Sequence, residues 1–566
     1  MDNIRFLLVI ALAMISYMLW EAWQLDYGPK PAEVAVVEQP TIQDSKQDLP
    51  GLESSQQAET EETAEAVPAL EVPSDKIITV KTDVFSVEID AKGGTIRNLD
   101  LLQYPHEKVN TIVNKMFALV GLDPQEKDLS PIRLFDSNIE KLFLAQSGLI
   151  ANTDSVAAPD HHAIFSVEND NYQLTDGEDT LSVPLVWTNN EGLVVTKIFT
   201  FSRNSYNISV EQKVSNDSSK TWSGRQYGQL LRIPFVDDKG NTFIRTYAGG
   251  VVYTEEEKYQ KVDYDDMTEE NLDVKSLGGW SAMTQHYFAS AWIPPSDQEN
   301  QFYTKELKDY RYVIGSYSPT VSVAPHTDTI FSSHLFAGPK IQPMMEKVAQ
   351  GLELTVDYGW LTVIGKPIYW LLNKIHDKIG NWGFSILGVT LCIKLLFFKL
   401  SQASYRSMAK MRKIQPRLKE MQEKYADDRQ RFNTEMMAMY KREKVNPMGG
   451  CLPIMVQIPV FISLYWVLIE TVELRQAPFA LWIQDLSAQD PYFILPVIMG
   501  ITMKIQQSLN PAPIDPLQAK VMKMFPIVFT VFFLFFPAGL VLYWVCNNTL
   551  SIIQQWYITK QIEAED

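Results

Sequence analysis

The apolar stretches beyond position 380 constrain this 566-residue chain more than any other feature. Residues 381–400 hold a single charge, Lys394, until Lys399. Residues 447–469 hold none, and 491–508 hold only Lys504, near one end. The stretch 521–557 is nearly continuous and exceeds the ~20 residues that one membrane span needs. Pro537-Ala538-Gly539 divides it into 521–536 and 539–557, a tight reversal between two helices. Five spans follow from this pattern, because only helices or closed barrels satisfy the backbone in hydrocarbon.

A sixth apolar run opens the chain at 4–20. Trp20, Trp23 and Tyr27 flank it, and aromatic residues settle at membrane interfaces. A cleaved signal peptide would show a small-x-small cleavage site at that flank instead. Residues 1–25 are therefore expected to be an N-terminal transmembrane anchor.

The mean hydropathy of −0.11 hides this organisation, because polar segments offset the spans. The formal charge of −18 is equally uneven. Between 26 and 75, 12 acidic residues face only Lys30 and Lys46. That stretch is also rich in Pro, Gln and Ala, and it reads as a disordered, acidic linker. Between 399 and 444, 13 basic residues outnumber 6 acidic ones. A basic loop beside a span belongs on the cytoplasmic side. Alternation from that loop puts 471–490 outside and 509–520 inside. Both termini then lie in the cytoplasm, and everything between the first two spans lies outside.

Most of that outer region, 76–350, has period-two patterning. Phe85, Val87 and Ile89 alternate with Ser86, Glu88 and Asp90 before the turn Lys92-Gly93-Gly94. Ile208 and Val210 alternate with polar neighbours before Asn216-Asp217. This is the pattern of a large β-sandwich. It contains no cysteine, since Cys392, Cys451 and Cys546 all fall in apolar segments. The fold expected is an α-helical polytopic membrane bundle of six spans with a large β-sandwich domain on one side. Residues 355–379 mix apolar positions with Lys366, Lys374, Asp377 and Lys378. They read as an amphipathic helix lying in the interface.

No enzyme motif is present: no phosphate-binding glycine loop, HExxH, CxxC pair or nucleophile elbow. No cofactor is expected. His161-His162 sits beside Asp160, but no third metal ligand stands nearby in sequence, so no metal site is expected. The informative group is Lys394, because an ionisable side chain inside a span must face water, a partner or the protein interior. It lies about 8 Å along a helix from Lys399, so snorkelling to the headgroups competes with a place in a wet groove. Polar side chains recur in the spans at Thr390, Gln457, Ser463, Thr530, Asn547, Asn548, Gln554 and Gln555. They serve either helix–helix hydrogen bonds or that same groove.

The cytoplasmic loop 401–446 reads as a helical hairpin broken near Ala426-Asp427-Asp428. Met408, Met411, Met436 and Met437 give it a flexible apolar face beside Arg412 and Lys413. Such a face either packs on itself or docks varied apolar clients and a ribosome.

Several long segments carry a resemblance. They are GNWGFSI at 380–386, SMAKMRKIQP at 407–416, EKVNPMGGCLP at 443–453, ELRQAPFALWIQDLSAQDPYFILP at 473–496 and FFPAGLVLYW at 535–544. In these the chain resembles the YidC family of bacterial membrane protein insertases over essentially its full length. The resemblance implies an inner-membrane protein with an N-terminal anchor, a periplasmic β-domain and a five-helix insertase core at 380–560. It implies a hydrophilic groove open to cytoplasm and lipid. Lys394 stands where the family usually has Arg, and Thr390, Phe461 and Tyr543 match groove or client positions, with Gln457 added here for its place in a span. The partners implied are nascent membrane proteins, the Sec translocon with its accessory subunits, the ribosome and membrane lipids, and no DNA. A secondary transporter would instead need paired midplane charges and internal repeats, and neither is visible.

Overall fold

The computed structural model describes residues 48–50, 76–107, 128–189, 191–234, 246–425, 427–443, 452–510 and 516–565. The expected anchor at 1–25 and most of the linker at 26–75 lie outside these residues.

The first half is built from two sheets, of eleven and eight strands among the described residues. Alternation makes each strand two-faced. In Leu193–Ser202 every second side chain, from Leu193 to Phe201, is buried. It pairs antiparallel with Asn207–Asn216, placing Val195 opposite Val214 and Phe199 opposite Val210. The inner faces meet in a core that includes Val87, Leu99, Phe199, Ile208, Trp292 and Phe336. Burying each such side chain contributes about 1.5–3 kcal/mol. The turn at Gly93 needs glycine twice over. Its φ is +74°, and a Cβ there would lie 2.2 Å from the His161 carbonyl oxygen.

One inward position of Leu193–Ser202 carries Lys197, fully buried. Its ammonium donates to the carbonyls of Gly93 and Ser147, both at 2.7 Å. Burial pulls its pKa down to about 7.

Two short helices, α1 (Tyr264–Glu269) and α2 (Gln342–Val348), accompany the sheets. The second half is helical: α3 (Thr362–Ile379), α4 (Trp382–Leu396), α5 (Phe398–Lys424), α6 (Arg429–Arg442), α7 (Leu452–Glu470), α8 (Ile494–Leu509), α9 (Pro516–Phe533) and α10 (Ala538–Glu565). Helix α3 buries Ile368, Tyr369 and Leu372, while Val363 and Trp370 stay exposed at 85% and 61%. The helix expected over 381–400 stops at Leu396, and the chain bends by 66° into α5. Lys394 before the bend, and Ser401 and Ser404 after it, line one interior.

Among the described residues no single helix is both long and apolar enough to cross a membrane, though the bent pair α4–α5 meets the test together. The surface of the bundle is nevertheless apolar. Leu395 and Leu396 of α4, Val497 and Ile501 of α8, and Val528 and Val531 of α9 are each more than half exposed. Exposed apolar side chains on this many helices mark a surface that meets a membrane or a partner.

Buried polar contacts fasten the two halves together. Lys340, beyond the last strand, meets Glu470 at the end of α7 at 3.2 Å, with both side chains 3% exposed. Tyr369 donates to Glu473 at 2.7 Å, and burial raises the Glu473 pKa. His286 hydrogen-bonds the Ile469 carbonyl at 3.1 Å. Burial, then the charge of Lys340, pulls the His286 pKa down to about 3. Arg475 and Gln476 donate to the Pro105 carbonyl at 2.8 and 2.7 Å.

The segment 471–490 then folds over this end of the bundle. Gly539 donates to Leu486 and Ala538 to Ala488. The Trp482 indole reaches Asp490, whose other oxygen caps the start of α8 through Leu495.

Candidate functional site

Helices α4, α5, α7, α8, α9 and α10 surround a cavity of about 450 Å³. Lys394 projects into it from the last turn of α4 and is only 8% exposed. Its ammonium donates to Ser551 Oγ at 2.7 Å. The Ser551 hydroxyl in turn donates to the Asn547 carbonyl at 2.7 Å. Among the described residues no carboxylate lies within ion-pair distance of Lys394. Among the described residues the cavity therefore holds a hydrogen-bonded lysine with no counter-charge beside it. Lys394 faces the bundle interior rather than its outer surface.

Of the other residues singled out by sequence, Gln457, Phe461 and Tyr543 line the same cavity. Phe461 stacks on Tyr543 with ring centroids 6.0 Å apart and meets Trp544 edge-on at 4.9 Å. Thr390 is one turn deeper on α4. It is buried, and its hydroxyl donates back to Ile386 at 2.7 Å, so it packs rather than lines. Several polar span residues prove to join helices. Asn548 reaches Thr502, and Gln555 reaches Leu509 and Asn510.

Sequence reasoning missed Ser551, Ser404, Tyr405, Gln506 and Gln507, which all line the cavity. Ser551 lies 157 positions from Lys394, and no local pattern connects them.

The charged hairpin contributes unevenly. Met408 belongs to the cavity wall. Met411 and Met436 instead pack on the buried cluster Ile414, Leu418, Met439 and Tyr440, which closes α5 against α6. Met437 is 50% exposed, and Arg412 and Lys413 lie on the outer face. The methionine face thus divides between self-packing and solvent.

Gln457 sits 13 residues before the closed end of α7 at Glu470, about 20 Å along the helix. The cavity lies toward the end where the basic hairpin begins. The segment 471–490 covers the other.

This arrangement has relatives. The model of the YidC periplasmic domain matches residues 77–371, and that of the 60Kd inner membrane protein matches 374–565. The chain belongs to the YidC family. A "Membrane protein insertase YidC" from Methylococcus capsulatus is 53% identical, covering 100% of this chain and 99% of that one. A protein of the same name from Nitrosococcus oceani is 46% identical and covers 100% of both.

In this YidC-family chain the two matched regions meet at 371–374, inside α3, the helix beside the junction. Segments that carried the sequence resemblance converge on the site. Residues 535–544 bring Tyr543 and Trp544 to the cavity wall, 407–416 bring Met408, and 473–496 include most of the cover at the far end. The segment 443–453 falls almost wholly outside the described residues.

Proposed function

We propose that this chain inserts membrane proteins by capturing the polar, extramembrane part of a client in the cavity at Lys394. The observation that carries the reading is a buried lysine, hydrogen-bonded to Ser551 and with no carboxylate beside it among the described residues, inside a bundle whose outer surface is apolar. An acidic client segment supplies the missing charge. At a distance of about 4 Å and with groove water screening, that attraction amounts to about 1–4 kcal/mol. It suits capture followed by release.

The client's apolar segment meanwhile slides along exposed α4, α7 and α9 into lipid. The favourable transfer of about 20 apolar residues to hydrocarbon drives the step, and no nucleotide or cofactor is needed. Polar groups in the cavity shorten the hydrocarbon path that the translocated segment crosses.

In this reading the bundle has six spans, counting an anchor at 1–25. Both termini and the hairpin at 401–446 are cytoplasmic, and the β-domain at 76–350 is periplasmic. Helix α3 lies in the outer interface with Val363 and Trp370 in lipid. Met437, Arg412 and Lys413 on the hairpin form the docking face for clients and ribosome, and Met408 bridges that face to the cavity. Larger clients are handed over from the Sec translocon. Fixed positive charge rather than a guanidinium fork suffices for capture, since Lys offers no bidentate geometry.

The test is purified chain in liposomes given single-span clients with acidic or neutral translocated tails. Lys394→Ala slows the acidic client and spares the neutral one, and Lys394→Arg retains activity. Equal insertion of both clients by Lys394→Ala would remove the capture step. Solute uptake without client insertion would favour a transporter.

A further inference from the structure

The pair His161-His162 does have a third partner, and it comes from the acidic segment ahead of the β-domain. Asp160, the acid beside the pair in sequence, is turned aside: its carboxylate accepts from the His162 backbone N–H at 2.9 Å. Asp48, 113 residues before His161, takes the place instead. One of its oxygens lies 2.8 Å from His161 Nε2 and the other 3.1 Å from His162 Nε2. Within 26–75 the described residues are 48–50, where Leu49 is 5% exposed and sets Asp48–Pro50 against the domain. No third ligand stands near the pair in sequence; the one that reaches it is distant.

The site is held in place from beneath. The loop carrying the histidines is strapped by Leu149 N–H to the Pro159 carbonyl and by Gly93 N–H to the Ala163 carbonyl. Neither strap could close over a side chain. A Cβ on Gly148 would come within 2.9 Å of Asp160 Cα, and one on Gly93 would strike the His161 carbonyl. Tyr227, on the strand Trp222–Arg232, then fixes the inner ring. Its hydroxyl accepts the His161 backbone N–H at 2.9 Å and lies 2.5 Å from His161 Nδ1. A hydroxyl can accept from that nitrogen, which leaves the Nε2 lone pair free toward Asp48. This is the outer-sphere support that metal-binding imidazoles ordinarily have.

We propose that Asp48, His161 and His162 form a binding site for a divalent transition-metal ion, zinc being the best match, that clasps the acidic segment to the β-domain. Their three ligand atoms lie within 4.8 Å of one another. Tetrahedral zinc with ligands at about 2.0–2.1 Å needs edges of about 3.3 Å, so binding closes the set by at most about 1.5 Å, within reach of side-chain rotation. Two imidazoles and one carboxylate suit zinc better than calcium or magnesium, which prefer all-oxygen shells. His161 is buried, whereas the Asp48 and His162 side chains keep 16% and 21% exposure, which leaves the fourth position open to water. The ion replaces the Asp48–imidazole hydrogen bonds and ties together two points more than a hundred residues apart.

The experiment is titration of tag-free, full-length, detergent-solubilised protein with zinc alone, after dialysis against chelator. One zinc per chain binds at micromolar or tighter affinity, and cobalt in its place gives the visible absorption of a four-coordinate ion. Asp48→Asn and His162→Asn each abolish the cobalt band. Tyr227→Phe, which keeps the ligands but loses their support, weakens binding by about tenfold or more. Zinc raises the unfolding temperature of the parent and not that of Asp48→Asn. No saturable binding to the parent, or binding unchanged in Asp48→Asn, would overturn the proposal. In the first case, if Asp48→Asn alone still lowers the metal-free unfolding temperature, the three residues are a hydrogen-bonded clasp only.

Discussion

The β-domain and the helical bundle place their side chains in opposite order. In the domain, Trp222, Trp280 and Trp292 are at most 2% exposed, and buried charges such as Lys197 and Arg232 are exceptions in an apolar interior. In the bundle, Leu396 is 76% exposed, while Lys394, Ser551 and Gln555 are buried. Water drives apolar surface inward in the first case. In the second, lipid removes that drive from the outer face, and polar groups gather where they can bond one another or water. The contrast teaches that burial alone does not mark the core of this chain. The solvent around each half does.

The contrast can be broken at specified points. The largest effect is expected from Trp292→Ala. Its indole donates to the Gln229 carbonyl at 2.9 Å, and the ring lies against Gly228. Loss of about 3–5 kcal/mol should appear in urea unfolding of the domain. The equivalent truncation of exposed Leu396 should cost the bundle little.

Lys340→Met is next, because it strands Glu470 in the junction. Removing one partner of a buried pair costs about 3–5 kcal/mol, while the double variant with Glu470→Leu should recover most of it. A thermal scan of all three proteins checks this.

Val528→Arg puts a charge on the lipid face of α9. At mid-membrane it costs about 2.5–3.5 kcal/mol, read as reduced membrane accumulation. A charge placed on the outer face of the β-domain, as in Ser182→Arg, should pass unnoticed.

Acid should loosen the junction more gradually. His286 stays neutral in the fold down to a pH of about 3, whereas the unfolded chain takes its proton near the ordinary 6.5. The unfolded state therefore binds more protons between these values, and stability present above 6.5 declines as the pH falls. His286→Gln should flatten that decline in pH-dependent unfolding.

The smallest effect on insertion is expected from deleting residues 76–335 while keeping Lys340 and the elements after it. Client insertion in liposomes should be largely retained, since the cavity uses only residues from Lys394 on. Loss of insertion by a stable deletion protein would show that the two halves are one working unit.

Legibility in the sequence followed the range of the interaction. The strands at 85–90 and 207–216 were readable because alternation is a neighbour-to-neighbour signal. Pro537 was readable as the divider of the long apolar run and stands immediately before α10, although the break itself, 534–537, begins three residues earlier than the reversal expected at 537–539. The bend at Phe397 left no mark in the apolar pattern of 381–400, which runs on without a break. Lys394 was conspicuous as a charge among apolar residues, but whether it faced lipid headgroups or the interior depended on Ser551.

The sequence by itself therefore determined the two solvents, the two halves and the isolated charge, since composition and periodicity are written in short windows. Tertiary structure alone decided what meets what. It put Ser551 against Lys394, Glu470 against Lys340, and Asp48 against His161 and His162. Those meetings join residues more than a hundred positions apart, and only chain folding fixes separations in space at that range.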